Sequence, residues 1–473
     1  MLVGTGVQQA VTFLLIMILS RLLSKEEYAT YSQGILIYRT LLPILQFGIP
    51  LAISYFLPQA NNIYQEKSIF LNSLKIIFIG ASLALLLIIF FRDFLSIFYN
   101  NSDFSDIVFP LGIYIFLEII NAIMPNFYIS IGKNRRFALI TIFISLIRAI
   151  TVCLFAALNN SVKGIFIVLA TVSGIKCMIF FIDVYRRYRK QVIDYNSSYS
   201  FTVIFKYGMV IGLSQAIGQV STLLDQNVVA SMFTPSEYAI FVNGAVDIPF
   251  IALIGSSIAS VLLPEFAKKG MNNQEMLDKW KTGIIYTASF LLPIMTVLFV
   301  VAPSYITVVY SQEYIDSVPV FRIYLLKIPT MIATYSTILL AKKANSKILL
   351  NTVLSLIVNV ILNITFIKFF GIYGAALGSI LSLYILSILQ IIQISKILEI
   401  QWGEVLPFFK ILKIVLVCII FGSIMAFLKA VAFKNAIIQD ICGAVIFVIV
   451  IWGVLIKLKI VNFHYLSQII IKR

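Results

Sequence analysis

Lys25-Glu-Glu-Tyr-Ala-Thr-Tyr-Ser-Gln-Gly34 returns 210 residues later as Pro235-Ser-Glu-Tyr-Ala-Ile-Phe-Val-Asn-Gly244, with Glu27/Glu237, Tyr28/Tyr238, Ala29/Ala239 and Gly34/Gly244 identical. The same offset carries Lys133 to Lys343, Ser145-Leu-Ile147 to Ser355-Leu-Ile357, and Gly164 to Gly374. Separated landmarks on one register mark an internal duplication. The stretches between them show what was duplicated. Apolar runs of about 20 residues recur along the chain, the length an α-helix needs to cross about 30 Å of hydrocarbon. Polar, Pro and Gly breaks delimit fourteen spans near 2–23, 30–57, 68–91, 105–130, 137–158, 163–184, 204–232, 238–266, 282–302, 319–341, 348–370, 372–395, 407–428 and 438–456. The offset joins span 1 to span 7 and span 4 to span 10. Six is even, so orientation is preserved and the repeats are parallel six-helix lobes.

The composition agrees. Of 473 residues, 60% are hydrophobic and 12% charged, with a mean hydropathy of +1.00, more apolar surface than one soluble core can hide. Long strictly alternating segments are missing, which argues against a β-barrel. The expectation is an all-α polytopic membrane protein: N-lobe 1–184 (spans 1–6), basic cytoplasmic linker 185–203, C-lobe 204–395 (spans 7–12), then spans 13 and 14 with a cytoplasmic tail over 396–473, and a central cavity between the lobes. Leu2 to Leu23 is too long for a signal-peptide core and lacks a basic leader, so it is read as the first span.

The formal net charge of +16 does not point to nucleic acid, which needs a soluble basic face with stacking aromatics. It sits in short loops. With the N-terminus inside, 23 Lys and Arg fall in inner loops and 8 in outer loops, which places both termini in the cytoplasm. Cys153, Cys177, Cys418 and Cys442 lie in apolar runs without CxxC spacing, and the single histidine, His464, is in the tail. Neither metal site, disulfide nor Ser/His triad is expected. The outer loops are too short to carry a polymerase or acyltransferase centre, so no enzyme activity and no cofactor is expected.

Ionisable residues inside spans are costly, about 2.5–3.5 kcal/mol each at a helix centre, and are read as functional candidates. Arg39, Arg148, Lys176 and Lys327 are the deep bases, and Glu118, Asp225 and Asp247 the deep acids. Arg148–Glu118 and Lys327–Asp247 can be ion pairs that only hold the bundle together. Four bases against three acids leave an excess positive charge suited to a diphosphate or acidic sugar, since a guanidinium binds phosphate oxygens in pairs. The three acids are candidates for coupling to H⁺ or Na⁺. Span amides (Gln8, Gln9, Gln33, Gln46, Asn121, Asn126, Gln215, Gln219, Gln226 and Asn227) suit sugar hydroxyls or interhelical bonds equally. Gly208-xxx-Gly212 and Gly374-xxx-Gly378 mark close helix packing.

Arg21-Leu-Leu-Ser-Lys-Glu-Glu-Tyr28 followed by Gly34 resembles the loop after the first helix of the oligosaccharide flippases that export O-antigen and capsule units. Phe370-Gly-Ile-Tyr-Gly-Ala-Ala-Leu-Gly-Ser379 resembles the start of their twelfth helix, and Leu224-Asp225 before Pro235-Ser-Glu-Tyr238 is similar to their acidic seventh helix. The resemblance places the chain in the polysaccharide branch of the multidrug/oligosaccharidyl-lipid/polysaccharide exporter superfamily. It implies a flippase taking a polyprenyl-diphosphate-linked glycan from the cytoplasmic leaflet by alternating access, among membrane lipids and polysaccharide polymerase machinery, with a monomer sufficient. A cation-coupled multidrug exporter of the same superfamily is the alternative, with Asp225 and Asp247 as its ion or drug site.

Overall fold

Ser24 begins the second helix with a capping box. Its hydroxyl accepts the Glu27 N–H at 3.2 Å, while its own N–H donates to Glu27 Oε2 at 2.9 Å. Thr234 and Glu237 repeat the arrangement at 3.3 and 3.0 Å. The duplicated acid is therefore a helix-start device. The residues after it pack: Tyr28 and Tyr238 are buried, and Ala29 and Ala239 are fully so. A Cβ at Gly34 would lie 2.4 Å from the Phe166 ring, and one at Gly244 2.5 Å from Val320 Cβ. Glu27→Ala is expected to cost about 1 kcal/mol, read as a lower melting temperature. The neighbouring exposed Glu26→Ala should leave it unchanged, and equal effects would dismiss the cap.

The computed structural model describes residues 2–159, 161–190, 199–246, 248, 251–266, 271–431 and 437–460, and among these the regular structure is entirely helical. Two compact units divide after Ala239. The first holds α1 (Leu2–Leu22), α2 (Lys25–Leu45), α3 (Ile49–Phe56), α4 (Ile63–Phe90), α5 (Arg92–Phe98), α6 (Phe104–Asn121), α7 (Met124–Ser130), α8 (Asn134–Asn159), α9 (Val162–Tyr188) and α10 (Phe201–Met232). α11 (Pro235–Gly244) crosses the division. The second holds α12 (Ile251–Phe266), α13 (Asn273–Val300), α14 (Ala302–Val309), α15 (Val318–Leu325), α16 (Tyr335–Ala341), α17 (Asn345–Phe370), α18 (Ile372–Leu398), α19 (Trp402–Val405), α20 (Phe408–Val431) and α21 (Ile437–Lys457). Among the described residues ten helical stretches are long and apolar enough to cross a bilayer, or eleven when α2 and α3, bent by 44°, count as one. Gly6–Leu22 and Cys442–Lys457 are shorter apolar helices. The chain is a multi-pass α-helical membrane protein.

Four of the expected spans each hold two α-helices among the described residues. Residues 30–57 divide at Gly48, whose φ of 64° is left-handed. Residues 105–130 divide before α7, where Pro125 sits at the helix start. Within 238–266, α11 ends at Gly244 and α12 begins at Ile251; residues 247, 249 and 250, Pro249 among them, lie outside the described residues. Residues 319–341 break between α15 and α16, where Pro329 has no N–H to continue the ladder. The turn at Gly48 is held by close backbone approach. A Cβ there would stand 2.3 Å from Gly208 O, and one at Gly212 2.5 Å from Gly48 N. α10, the first helix of the expected C-lobe, thus packs on α2, α3 and α4 within the first unit.

Charge pairs tie the helix ends. Arg136 forks onto Asp183, which also accepts the Tyr128 hydroxyl at 2.5 Å. Arg187 forks onto Glu66 at 2.6 and 2.8 Å, with the Tyr188 hydroxyl on the same carboxylate at 2.6 Å. In the second unit Lys429 on α20 pairs with Asp440 on α21 at 2.8 Å, and Ser304 on α14 donates to the same carboxylate.

α17 and α18 form a hairpin around Gly371, with a seam of polar side chains. Asn351, Ser355, Asn359 and Asn363 recur one turn apart on the buried face of α17. Gln393 Nε2 donates to Asn351 Oδ1 at 2.8 Å, Ser355 Oγ to Ser382 O at 3.2 Å, and Ser379 Oγ to Asn359 Oδ1 at 3.2 Å. Gly374 and Gly378 let the backbones meet: Cβ atoms there would stand 2.1 Å from Phe366 O and 2.9 Å from Asn363 N. Small residues facing polar ones is how helices associate where no water competes.

Candidate functional site

Glu118 on α6, Arg148 on α8 and Lys176 on α9 each lie fourteen residues from the first residue of their apolar stretches, close to mid-span. Packing of α6 and α8 on α9 brings the three together. Arg148 Nη2 donates to Glu118 Oε1 at 3.1 Å, Ser173 Oγ donates to the same oxygen at 2.6 Å, and Lys176 Nζ stands 3.9 Å from Glu118 Oε2. Glu118 is 8% exposed at its side chain, Arg148 20% and Lys176 17%. Asn121, one turn beyond Glu118, donates to Ser173 O at 3.1 Å and fixes the register of α6 against α9.

The carboxylate is fully engaged and the cations are not. Arg148 Nε is buried without a hydrogen-bond partner, as is Asn121 Oδ1. Two bases against one acid leave a net charge of +1 at this depth. Beside the cluster an aromatic wall is formed by Tyr38 and Tyr114 (centroids 5.2 Å apart), with Phe166 6.3 Å from Tyr114 and 5.9 Å from Tyr31. Tyr31, Tyr38 and Tyr114 are all within electrostatic range of Arg148. Arg148 Nε is a donor and Asn121 Oδ1 an acceptor, and each costs free energy until it is matched.

The other candidates are placed differently. Arg39 is exposed on α2 and forms no ion pair among the described residues. Asp225 is buried on α10, and its Oδ1 accepts the Gln226 N–H at 2.7 Å. Lys327 sits in the break after α15, where its carbonyl accepts the Thr330 hydroxyl at 2.7 Å. Asp247 lies outside the described residues, and with it the pairing Lys327–Asp247.

A second polar assembly lies in the turn before α6. The buried Asn101 donates to Thr30 Oγ1 at 2.8 Å and Gln33 Oε1 at 2.7 Å and accepts the Asp103 N–H at 3.1 Å. Gln33 in turn reaches Tyr99 O at 3.2 Å. Asn100 donates to Ser231 O at 3.0 Å, and Asn227 Nδ2 to Thr40 Oγ1 at 3.3 Å. Residues 99–101 therefore strap α2 to α10. Gln33 and Asn227 stand among the span amides; Asn101, in a loop, gives no burial signal in the sequence. Asn101→Ala is expected to destabilise the protein by about 2 kcal/mol, from three lost side-chain bonds and the unpaired groups left behind. A thermal melt matching wild type would show that the strap carries no stability.

Comparison with known proteins fits this architecture. The family described as polysaccharide biosynthesis protein matches residues 18–319. No curated protein matches. The structure of the lipid II flippase MurJ in an inward closed conformation superposes with a TM-score of 0.74 over 97% of this chain and 98% of that one, at 17% identity. An inward-facing multidrug resistance MATE family transporter of the MOP superfamily gives 0.62 over 83% and 96%, at 15% identity. The Vibrio cholerae MATE transporter VcmN gives 0.57 over 84% and 94%, at 16%. At such identities the likeness is one of fold, and the family match carries the assignment. The chain belongs to the polysaccharide biosynthesis protein family.

Proposed function

We propose that the protein is a flippase that carries a polyprenyl-diphosphate-linked glycan, an O-antigen, capsule or related repeat unit, from the cytoplasmic to the outer leaflet of a bacterial inner membrane by alternating access. The observation that carries this reading is the mid-span cluster of Glu118, Arg148 and Lys176, with its net positive charge and the unpartnered Arg148 Nε. A diphosphate supplies the acceptors that such a cluster lacks, whereas a cationic drug is repelled by it. Arg39 and Lys327 are proposed as further contacts. Glu118, Asp225 and Asp247 are the proposed seats of coupling to H⁺ or Na⁺. The proposed arrangement is fourteen spans in two six-helix lobes plus two, with both termini cytoplasmic; a monomer suffices, and the delivered glycan passes to polymerase machinery.

Deletion of the gene tests the reading. Lipid-linked glycan is expected to accumulate where a membrane-impermeant glycosidase reaches it in inverted vesicles and not on intact spheroplasts. Normal outward glycan with new sensitivity to toxic cations would replace the proposal with a cation-coupled multidrug exporter.

A further inference from the structure

One end of the first unit holds a cavity of about 550 Å³ lined by Arg92, Asp106, Phe109, Ile113, Lys163 and Ile167 among others. Its walls are layered. Arg92 is the first residue of α5, and Asp106 and Lys163 lie in the first turns of α6 and α9. Phe109 and Ile113 follow Asp106 by about one and two turns, and Ile167 follows Lys163 by one, so the apolar wall begins about 5–10 Å further into the spans. Phe109 is 64% and Ile167 50% exposed. Arg92, Lys163 and Asp106 form no ion pair, with one another or with any described residue, and together they sum to +1.

Two unpaired cations level with the helix ends, above an apolar wall running into the span, match an amphiphile with one anionic phosphate and an acyl chain. We propose that this cavity binds an anionic glycerophospholipid of the adjoining leaflet, its phosphate between Arg92 and Lys163 and the upper part of one chain along Phe109 and Ile167. A volume of this size takes a glycerophosphate and part of a chain. Under the orientation proposed above, the leaflet is the outer one. The cavity shares no residue with the Glu118 cluster, so the lipid is a resident of the scaffold and the inference stands whatever the cargo.

The test uses the purified full chain, with native mass spectrometry after incubation with phosphatidylglycerol or phosphatidylcholine. The wild-type protein is expected to retain one phosphatidylglycerol that the double variant Arg92→Gln, Lys163→Gln releases, with affinity falling roughly 30-fold for the loss of two cations near the surface. Phosphatidylcholine should be held weakly by both, and Lys368→Ala should change nothing. Ile167→Trp keeps both cations and fills the apolar wall; it too is expected to lower retention, which supplies a second variant should the first fold poorly. Equal retention of the two lipids, or unchanged phosphatidylglycerol in both variants, would overturn the proposal. A retained polyprenyl phosphate lost in the double variant would also overturn it, assigning the cavity to the glycan carrier.

Discussion

A chain carrying Glu118→Gln together with Arg148→Met is expected to accumulate in the membrane at the wild-type level and to export no glycan. The single change Arg148→Met would not be decisive, because it strands a buried carboxylate at a cost of about 3–5 kcal/mol and confounds lost function with lost fold. Removing both partners avoids that penalty and leaves the net charge of the cluster unchanged. Ser173 can still donate to the side-chain carbonyl of the introduced glutamine. What disappears is the guanidinium, with its unpartnered Nε, as a fork for phosphate oxygens, and with it the Glu118 carboxylate as a titrating group; Glu118→Gln alone, which keeps the guanidinium, separates the two. Protein abundance by immunoblot and lipid-linked glycan by mass spectrometry read the two effects separately. Export at the wild-type rate would reduce Arg148–Glu118 to a pair that holds α6 to α8.

The second large effect is expected within α10. Gly212→Ala sets a methyl 2.5 Å from the Gly48 backbone nitrogen, which cannot rotate aside as a side chain would. Overpacking of this kind costs about 1–3 kcal/mol where side chains can adjust, and here the obstacle is backbone, so the upper end of that range applies. Gly218→Ala on the same helix is the control. Nothing lies within 4 Å of its Cβ, and replacing glycine in a helix by alanine gains about 0.5–1 kcal/mol. A melting temperature that falls for Gly212→Ala and holds or rises for Gly218→Ala is the expected pair; two equal values would sink the close approach of α10 to the Gly48 turn.

Hydropathy reports how far an apolar run extends, and this much was legible: the positions of α4, α8, α9, α13, α17, α18 and α20 follow from it. It does not report where a helix bends inside that run. The ends of α2 at Leu45 and of α6 at Asn121 fall inside longer apolar spans, because flanking Leu and Ile read alike on either side. The short helix α5 lay hidden in the loop after α4. For the site, burial cost alone singled out Glu118, Arg148 and Lys176, since a charge at mid-span must find company. Ser173 gave no such signal, because a serine is tolerated in any span. The Asn351-Ser355-Asn359-Asn363 spacing was a readable signal, four residues apart on one helix face, that a search for charges passes over. The duplicated Glu27 and Glu237 were read as a family signature; their capping role emerges only when the backbone N–H groups they accept from are placed.

The seam between α17 and α18 bears on how the protein is made. Emerging alone, α17 would offer Asn351, Ser355, Asn359 and Asn363 to hydrocarbon, where each unmatched amide or hydroxyl is expensive. Their partners Ser379, Ser382 and Gln393 are synthesised next, across a turn at the single residue Gly371. The two helices are therefore expected to enter the bilayer together, as one hairpin.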